Sequence, residues 1–486
     1  MTELKEKTLN GLLWSFIDNF AKYGFQFIIG IILARILTPK EFGLIGIITV
    51  FISISNSIVD SGFSQALIRK NNATDKDYST VFLYNLTFSV FVFLILFFCA
   101  DYVSIFFGEP NLKLLLRVFS INIIINSFGI VQRTQLIKNI NFKAQTKITI
   151  IASVASGILA ICLAYFGFGV WSLIVKTTIF NLITVLLLRF YTDWKPMLYF
   201  SKKSFKELFS FGSKMVVAGL IDTIYRNIYY VIIGKYYSSV DLGYYTRAEQ
   251  FNNFPSSNLT TVIQRVSYPV LSKLQDDNEK LKFGYKKTIT LTMFISFTSM
   301  FWLAAVSESL ILSLIGINWE QSIIYLQLLC FVGMLYPLHG LNLNILKVKG
   351  RSDLFLKLEI IKKLLAVPII IAGIYWGIKI MIIGMIINSI IAYYINSFWS
   401  GRLVNYSMRE QLMDIVPSFL LSAFTASVVY AASLYLKFSP LANLMLLSVL
   451  WISILVLICE ITKFKPYKEI VGIAFTYIKK IRYGKK

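Results

Sequence analysis

The sequence is poor in the residues from which most catalytic sites are built. It has one histidine, His339, and four cysteines, Cys99, Cys162, Cys330 and Cys459, in 486 residues. All four cysteines fall inside apolar runs with no CxxC spacing, so they read as small buried hydrophobes rather than disulfides or metal ligands. His339 follows Pro337 in an apolar stretch with no acid beside it, which suits a packed or pore-edge histidine better than a proton relay. There is no GxxxxGK[ST] loop, which excludes an ATPase within the same chain. Nucleophile elbow, metal-ligand spacing and catalytic acid pair are missing too, so neither an enzyme nor a cofactor is expected.

Acids are scarce as well: 25 Asp and Glu stand against 48 Lys and Arg, a net charge of +23. The basic residues lie in short loops between apolar runs, where they orient a membrane protein; nucleic acid is not the expected partner. The stretch MTELKEKTLNGLLWSF mixes acids with its lysines and leads straight into a long apolar run, unlike a signal peptide. Long polar connections are also lacking. No loop on the side away from the termini exceeds about 20 residues, too short for a soluble catalytic domain. Function is therefore expected among the apolar segments.

Those segments dominate the chain, which is 56% hydrophobic with a mean hydropathy of +0.68. Apolar runs of about 20 residues recur along it, each long enough to cross a bilayer. The reading is an all-α polytopic membrane protein with about fourteen spans. The eighth, around Pro255, is polar throughout (YYTRAEQFNNFPSSNLTTVIQRV), so it must face protein or water. Most lysines and arginines fall in loops on the side of the termini, which places both termini in the cytoplasm. Ser204-Phe205-Lys206-Glu207 reads as a capping box opening the seventh span. The tail KPYKEIVGIAFTYIKKIRYGKK has the spacing of a basic amphipathic helix on the inner leaflet, held by anionic membrane lipids.

The chain also repeats itself. IDNFAKYGFQFIIG (17–30) matches IDTIYRNIYYVIIG (221–234), with an acid, a base four residues later and a closing Ile-Ile-Gly. LTPKEFG (37–43) matches YSSVDLG (237–243): each has a Ser or Thr, an acid three residues on, then an apolar residue and Gly. This is a helix N-cap signature, with Pro39 suited to the first helical position. YFGFGV (165–170) matches YWGIKI (375–380) at a tight turn. Three matches in order at near-constant spacing divide the chain into an N-lobe of six spans (1–200), a C-lobe of six (201–405), two further spans (406–462) and the tail (463–486). Halves with an even number of spans share their orientation, an arrangement transporters use with the substrate site between the halves.

Charges embedded in spans or at their edges are the candidate site. The bases are Lys22, Arg35, Lys176, Lys214, Arg226, Arg247 and Arg265; the acids are Asp18, Asp60, Asp222 and Glu249. Lys214, Asp222 and Arg226 fall within about 120° on a helix, and Asp18, Lys22 and Gln26 within about 80°. Asn252, Asn253 and Gln264 add polar positions in the eighth span. Two readings stay open. Each Asp can neutralise the base four residues on, as a structural pair. The surplus of bases would be costly in a closed core but suits a hydrated cavity that admits an anion.

These residues carry a resemblance. A polar first span followed by ARILTPKEFGLIGI, then LGYYTRAEQFNNFP with IQRVSYPVLSKLQDD, and the stretches INWEQSIIYLQLLCFVGMLYPL and LKVKGRSDLFLKLEIIKK, resemble the Wzx-type flippases of the multidrug/oligosaccharidyl-lipid/polysaccharide superfamily, particularly the colanic-acid subtype. The resemblance implies a transporter in the bacterial cytoplasmic membrane. It would move undecaprenyl-diphosphate-linked oligosaccharide repeat units between leaflets by alternating access, for surface polysaccharides such as O-antigen or capsule. It also implies coupling to H+ or Na+, with Asp18, Asp222 and Glu249 as candidate titrating groups, and polysaccharide polymerase and export proteins as partners. A lipid II flippase and a drug/cation antiporter of the same superfamily are the alternatives; a cationic cavity suits the latter poorly.

Overall fold

The computed structural model describes residues 24–70, 72–192, 194–436 and 438–483. The N-terminal stretch with Asp18 and Lys22 lies outside them. Eleven segments among the described residues are helical, long and apolar enough to cross a membrane. Three further expected spans are helices that miss that standard for different reasons. The first, α1 (Gly24–Ile36), is described only in part. Helix α10 (Ser239–Ser272) is polar along its length and contains Pro255 and Pro269. Helix α15 (Ser352–Trp376) carries Glu359, Lys362 and Lys363 near its middle, with Glu359 and Lys362 paired to each other. The described cysteines are all free.

By its contacts the chain forms two compact units, Met1–Thr246 and Arg247–Lys486. In the first, α2 (Pro39–Asp60), α3 (Phe63–Arg69), α4 (Asp75–Phe107), α5 (Asn111–Phe119), α6 (Ile121–Lys138), α7 (Phe142–Tyr165) and α8 (Val170–Tyr191) precede α9 (Lys202–Tyr236) and the first turns of α10. Polar residues tie the apolar helices together where lipid would leave them unpaired. Ser89 of α4 donates to Ser127 of α6 at 3.1 Å. Asn122 of α6 donates to Thr178 and accepts from Asn181, both on α8 and both at 2.9 Å. Helices α7 and α8 form a hairpin whose turn needs Gly167, at φ 82°.

Helix α9 opens the second sequence repeat, yet it packs along α2, α3 and α4. Two features hold it there. Gly62 (φ 67°) and Gly212 let backbone meet backbone: a Cβ on Gly212 would lie 2.6 Å from the Ser61 carbonyl oxygen. Phe205 enters an aromatic cluster with Phe63 and Tyr84, their ring centroids 5.8 and 5.3 Å away. The expected capping box at Ser204 is displaced: the helix starts earlier, with Ser201 as the N-cap accepting from the Ser204 amide at 3.2 Å. Glu207 is thereby freed from capping and pairs with Lys70 of the α3 C-terminus at 3.0 Å.

The second unit contains the rest of α10, then α11 (Asn278–Ala305), α12 (Ser307–Leu314), α13 (Gln321–Gly333), α14 (Tyr336–Val348), α15, α16 (Ile378–Val404), α17 (Met408–Tyr435), α18 (Pro440–Ile461) and α19 (Lys465–Tyr483). The α15–α16 hairpin repeats the α7–α8 turn, with Gly377 at φ 104°. A buried polar centre joins α11, α14 and α16: the Asn342 side-chain oxygen accepts from Tyr285 at 2.7 Å and from Ser400 at 2.5 Å. The tail is helical, as its spacing predicts, and Glu469 of α19 pairs with Lys287 of α11 at 3.0 Å.

Candidate functional site

Two charges of the expected α9 stripe pair as their spacing requires. Asp222 and Arg226 stand one turn apart, and the carboxylate meets Nε of the guanidinium at 2.8 Å. Their side chains are 43% and 76% exposed. An exposed pair in a helix that is otherwise apolar enough to span a membrane is unusual, because lipid would strip both charges of water. Tyr225 and Tyr229 lie edge to face beside it, their ring centroids 6.5 Å apart. The Lys214 and Arg265 side chains lie outside the described set, as do Asp18 and Lys22.

The other candidates sit on several helices. Arg35 is exposed in the last turn of α1, Lys176 half-buried in α8, and Arg247 and Glu249 half-buried in α10; each is engaged by neighbours. Asp60 serves the α2–α3 corner, accepting from the Ser64 amide at 3.3 Å and the Ser64 hydroxyl at 2.5 Å. Asn252 of the polar eighth span is buried, and its side-chain oxygen sits 2.3 Å from where Gly333 would carry a Cβ. Gln264 packs on Gly340 in the same way. These α10 amides thus face helices of their own unit. His339 is packed between helices, with Nε2 2.9 Å from Ser389 Oγ on α16. Among the described residues, no three His, Cys, Asp or Glu gather as a metal ion would need.

The charges within spans give no sign of a polar cluster that forms at helix ends. Pro39 starts α2 behind Thr38, whose amide and hydroxyl both donate to Glu41, at 2.7 and 2.9 Å. In the second copy the Ser238 hydroxyl donates to Asp241 at 2.6 Å and accepts from the Asp241 amide at 3.0 Å. These equivalent helix starts cross each other. Glu109, between α4 and α5, ties them together: it pairs with Lys40 at 3.3 Å and accepts from the Ser239 hydroxyl at 2.5 Å. Lys235, at the end of α9, donates to the Phe106 carbonyl and lies 4.5 Å from that residue's ring centroid. The available sequence signal was the pair LTPKEFG and YSSVDLG, whose helix starts prove to be in contact.

At the opposite end of α9, Lys70 bridges Glu207 and Asp77, the latter at 3.1 Å. Burial works against the ammonium, but hydrogen bonds to Glu207 and Asp77 outweigh it and hold the Lys70 pKa above the usual lysine value. In the second unit Arg351 grips Asp353 through two contacts, Nε at 2.9 Å and a terminal nitrogen at 2.7 Å. That fork is the main cause holding the Asp353 carboxyl at about 2.

A family model described as polysaccharide biosynthesis protein matches residues 32–324. The chain is 26% identical over 441 residues to the lipopolysaccharide biosynthesis protein WzxC of Escherichia coli (strain K12), covering 89% of each chain. It is 25% identical over 437 residues to the teichuronic acid biosynthesis protein TuaB of Bacillus subtilis (strain 168), covering 89% of this chain and 90% of that one. Among solved structures, the lipid II flippase MurJ in an inward closed conformation superimposes with a TM-score of 0.76 at 15% identity, over 94% of this chain and 99% of that one. That likeness concerns the fold.

Proposed function

The chain belongs to the polysaccharide biosynthesis protein family, and on that premise we propose that it is a flippase rather than an enzyme. It moves undecaprenyl-diphosphate-linked oligosaccharide units from the cytoplasmic to the outer leaflet of a bacterial cytoplasmic membrane, with both termini in the cytoplasm. The observation that carries this reading is the exposed Asp222–Arg226 pair in a span-forming helix. Such a pair needs water or a polar ligand around it. A diphosphate supplies the anion, sugars supply hydroxyls, and the polyprenyl chain stays in lipid.

In this reading Arg226 and Lys22 are equivalent phosphate-attracting groups of the two repeats. Arg35, Lys176, Lys214, Arg247 and Arg265 add to the positive field that draws an anionic headgroup. Asp18, Asp222 and Glu249 are the groups through which H+ or Na+ coupling would act. Asp60 is set apart from them by its bonds to Ser64. The Glu109 cluster marks the outer end, because positive-inside counting assigns the α1–α2, α4–α5 and α9–α10 connections to that side.

The test is a strain lacking the protein. It should accumulate lipid-linked repeat units in the inner leaflet and lose surface glycan, and Arg226→Ala should fail to restore export at wild-type protein levels. Normal export by both Arg226→Ala and Lys22→Ala would count decisively against the reading. Accumulation of a peptidoglycan precursor instead would favour the lipid II alternative, whose substrate carries the same diphosphate.

A further inference from the structure

The connection between α8 and α9 joins the two sequence repeats and has an unusual surface. It is pinned at both ends to the first turns of α4. Trp194 is buried against Tyr78 and Phe82, with ring centroids 6.2 and 5.9 Å away. The Ser201 amide donates to Thr80 Oγ1 at 3.0 Å. Between these anchors the chain turns outward, and Met197, Leu198, Tyr199 and Phe200 are all exposed, Leu198 to 92%. Lys195, Lys202 and Lys203 flank this tip and are exposed as well.

The anchors fix the height of the tip. Helix α4 begins DKDYST and then runs largely apolar from Val81 to Ala100, so its first two turns mark the passage from charged to hydrocarbon surroundings. The connection is fastened to Tyr78, Thr80 and Phe82, at that passage. Tyr199 lies under the Lys76 ammonium at 5.5 Å, and tyrosine and tryptophan are the residues that settle at this depth. Apolar side chains below and lysines beside them are complementary to a leaflet bearing negative headgroups.

We infer that residues 195–203 form a foot that seats on the membrane surface and binds anionic phospholipid. Met197, Leu198 and Phe200 enter the boundary between headgroups and acyl chains, while Lys195, Lys202 and Lys203 meet phosphate groups. The foot thereby holds the junction of the two repeats to the leaflet. This inference is independent of the transported substrate.

The experiment uses the full-length protein with its four cysteines replaced by alanine and a nitroxide label on Leu198→Cys, in nanodiscs of phosphatidylcholine or phosphatidylglycerol. In phosphatidylglycerol the label should relax more with lipid-soluble oxygen and several-fold less with an aqueous nickel chelate. Lys195→Gln, Lys202→Gln and Lys203→Gln together should return it to the phosphatidylcholine value. Equal nickel accessibility in both lipids would overturn the proposal, and would point to a soluble partner for the tip. Should the cysteine-free protein not fold, native mass spectrometry of the otherwise wild-type chain reads the same claim. From mixed lipids the triple glutamine variant should retain at least threefold less phosphatidylglycerol, and unchanged retention would refute it.

Discussion

Gly43 and Gly243 occupy equivalent places in the two repeats and press against each other's helix starts. A Cβ on Gly43 would lie 1.6 Å from the Ser239 carbonyl oxygen, and one on Gly243 would lie 1.9 Å from the Pro39 carbonyl oxygen. Both approaches are to backbone, which cannot swing aside as a side chain can. Gly43→Ala or Gly243→Ala should therefore force α2 and α10 apart and destabilise the protein by at least about 1–3 kcal/mol. Gly219→Ala is the control: among the described residues its Cβ would meet only Ser57 Oγ, at 3.7 Å, and alanine favours the helix by about 0.5–1 kcal/mol. Thermal unfolding in detergent should rank the crossing variants well below this control; equal midpoints would mean that the crossing is not as tight as described.

Glu109 fastens that crossing from the side, so its loss should loosen one end of the first unit. Nitroxide labels at Leu114 and Tyr236, both exposed, report the separation between α5 and the end of α9. Glu109→Ala should broaden and lengthen the distance distribution relative to wild type, and Glu109→Gln should do so less, because an amide oxygen still accepts from Ser239. Superimposable distributions for all three proteins would remove Glu109 as a latch.

The Asp222–Arg226 pair separates structural from functional roles. It is largely exposed, so removing either partner should change stability by less than about 1 kcal/mol. Exchanging the two, as Asp222→Arg with Arg226→Asp, keeps the pair but reverses its direction along α9. Surface glycan export should be abolished by the exchange while the melting temperature is kept. Full export by the exchanged protein would assign the pair to architecture alone.

Acid sensitivity has a predictable contribution from Arg351 and Asp353. The folded carboxyl sits at about 2, below the roughly 3.9 of an unfolded aspartate. A depressed carboxyl contributes stability that is present above its unfolded value and lost as pH falls through the folded one. Between about pH 4 and pH 2 the melting temperature of wild type should thus fall more steeply than that of Asp353→Asn. Parallel curves would show that the fork on this exposed corner contributes nothing to folding.

How far these features could be read in advance depended on their range. Span-forming helices follow from local composition, and the positive-φ glycines Gly167 and Gly377 were visible as matched turns because a tight reversal leaves a local mark. The helix starts at Thr38 and Ser238 were legible for the same reason. Their mutual contact was not, since nothing local says which segments distant in sequence will meet. Ser204 and Glu207 have the spacing of a capping box, but Ser201 begins the helix earlier and a distant lysine takes the glutamate. Asn252 and Gln264 were polar in a span and so barred from lipid, a constraint that water and a neighbouring helix satisfy equally; the glycines at 333 and 340 decided for the helix. Asp222 and Arg226, four residues apart on one helix, needed only helical geometry to be paired.

The crossing of α2 and α10 has the form of an isologous interface: each partner offers the same place in the repeat and receives the same place in return. Two separate half-length chains making this contact would have to make it identically on both sides, at a strength set by their concentration. Within one chain neither condition applies. The copies can differ, and they do, with Pro39 corresponding to Ser239, Glu41 to Asp241, and Glu109 receiving a hydroxyl from one helix start and an ammonium from the other. Joining the repeats in one polypeptide thus makes room for a polarity across the crossing that a symmetric dimer could not express.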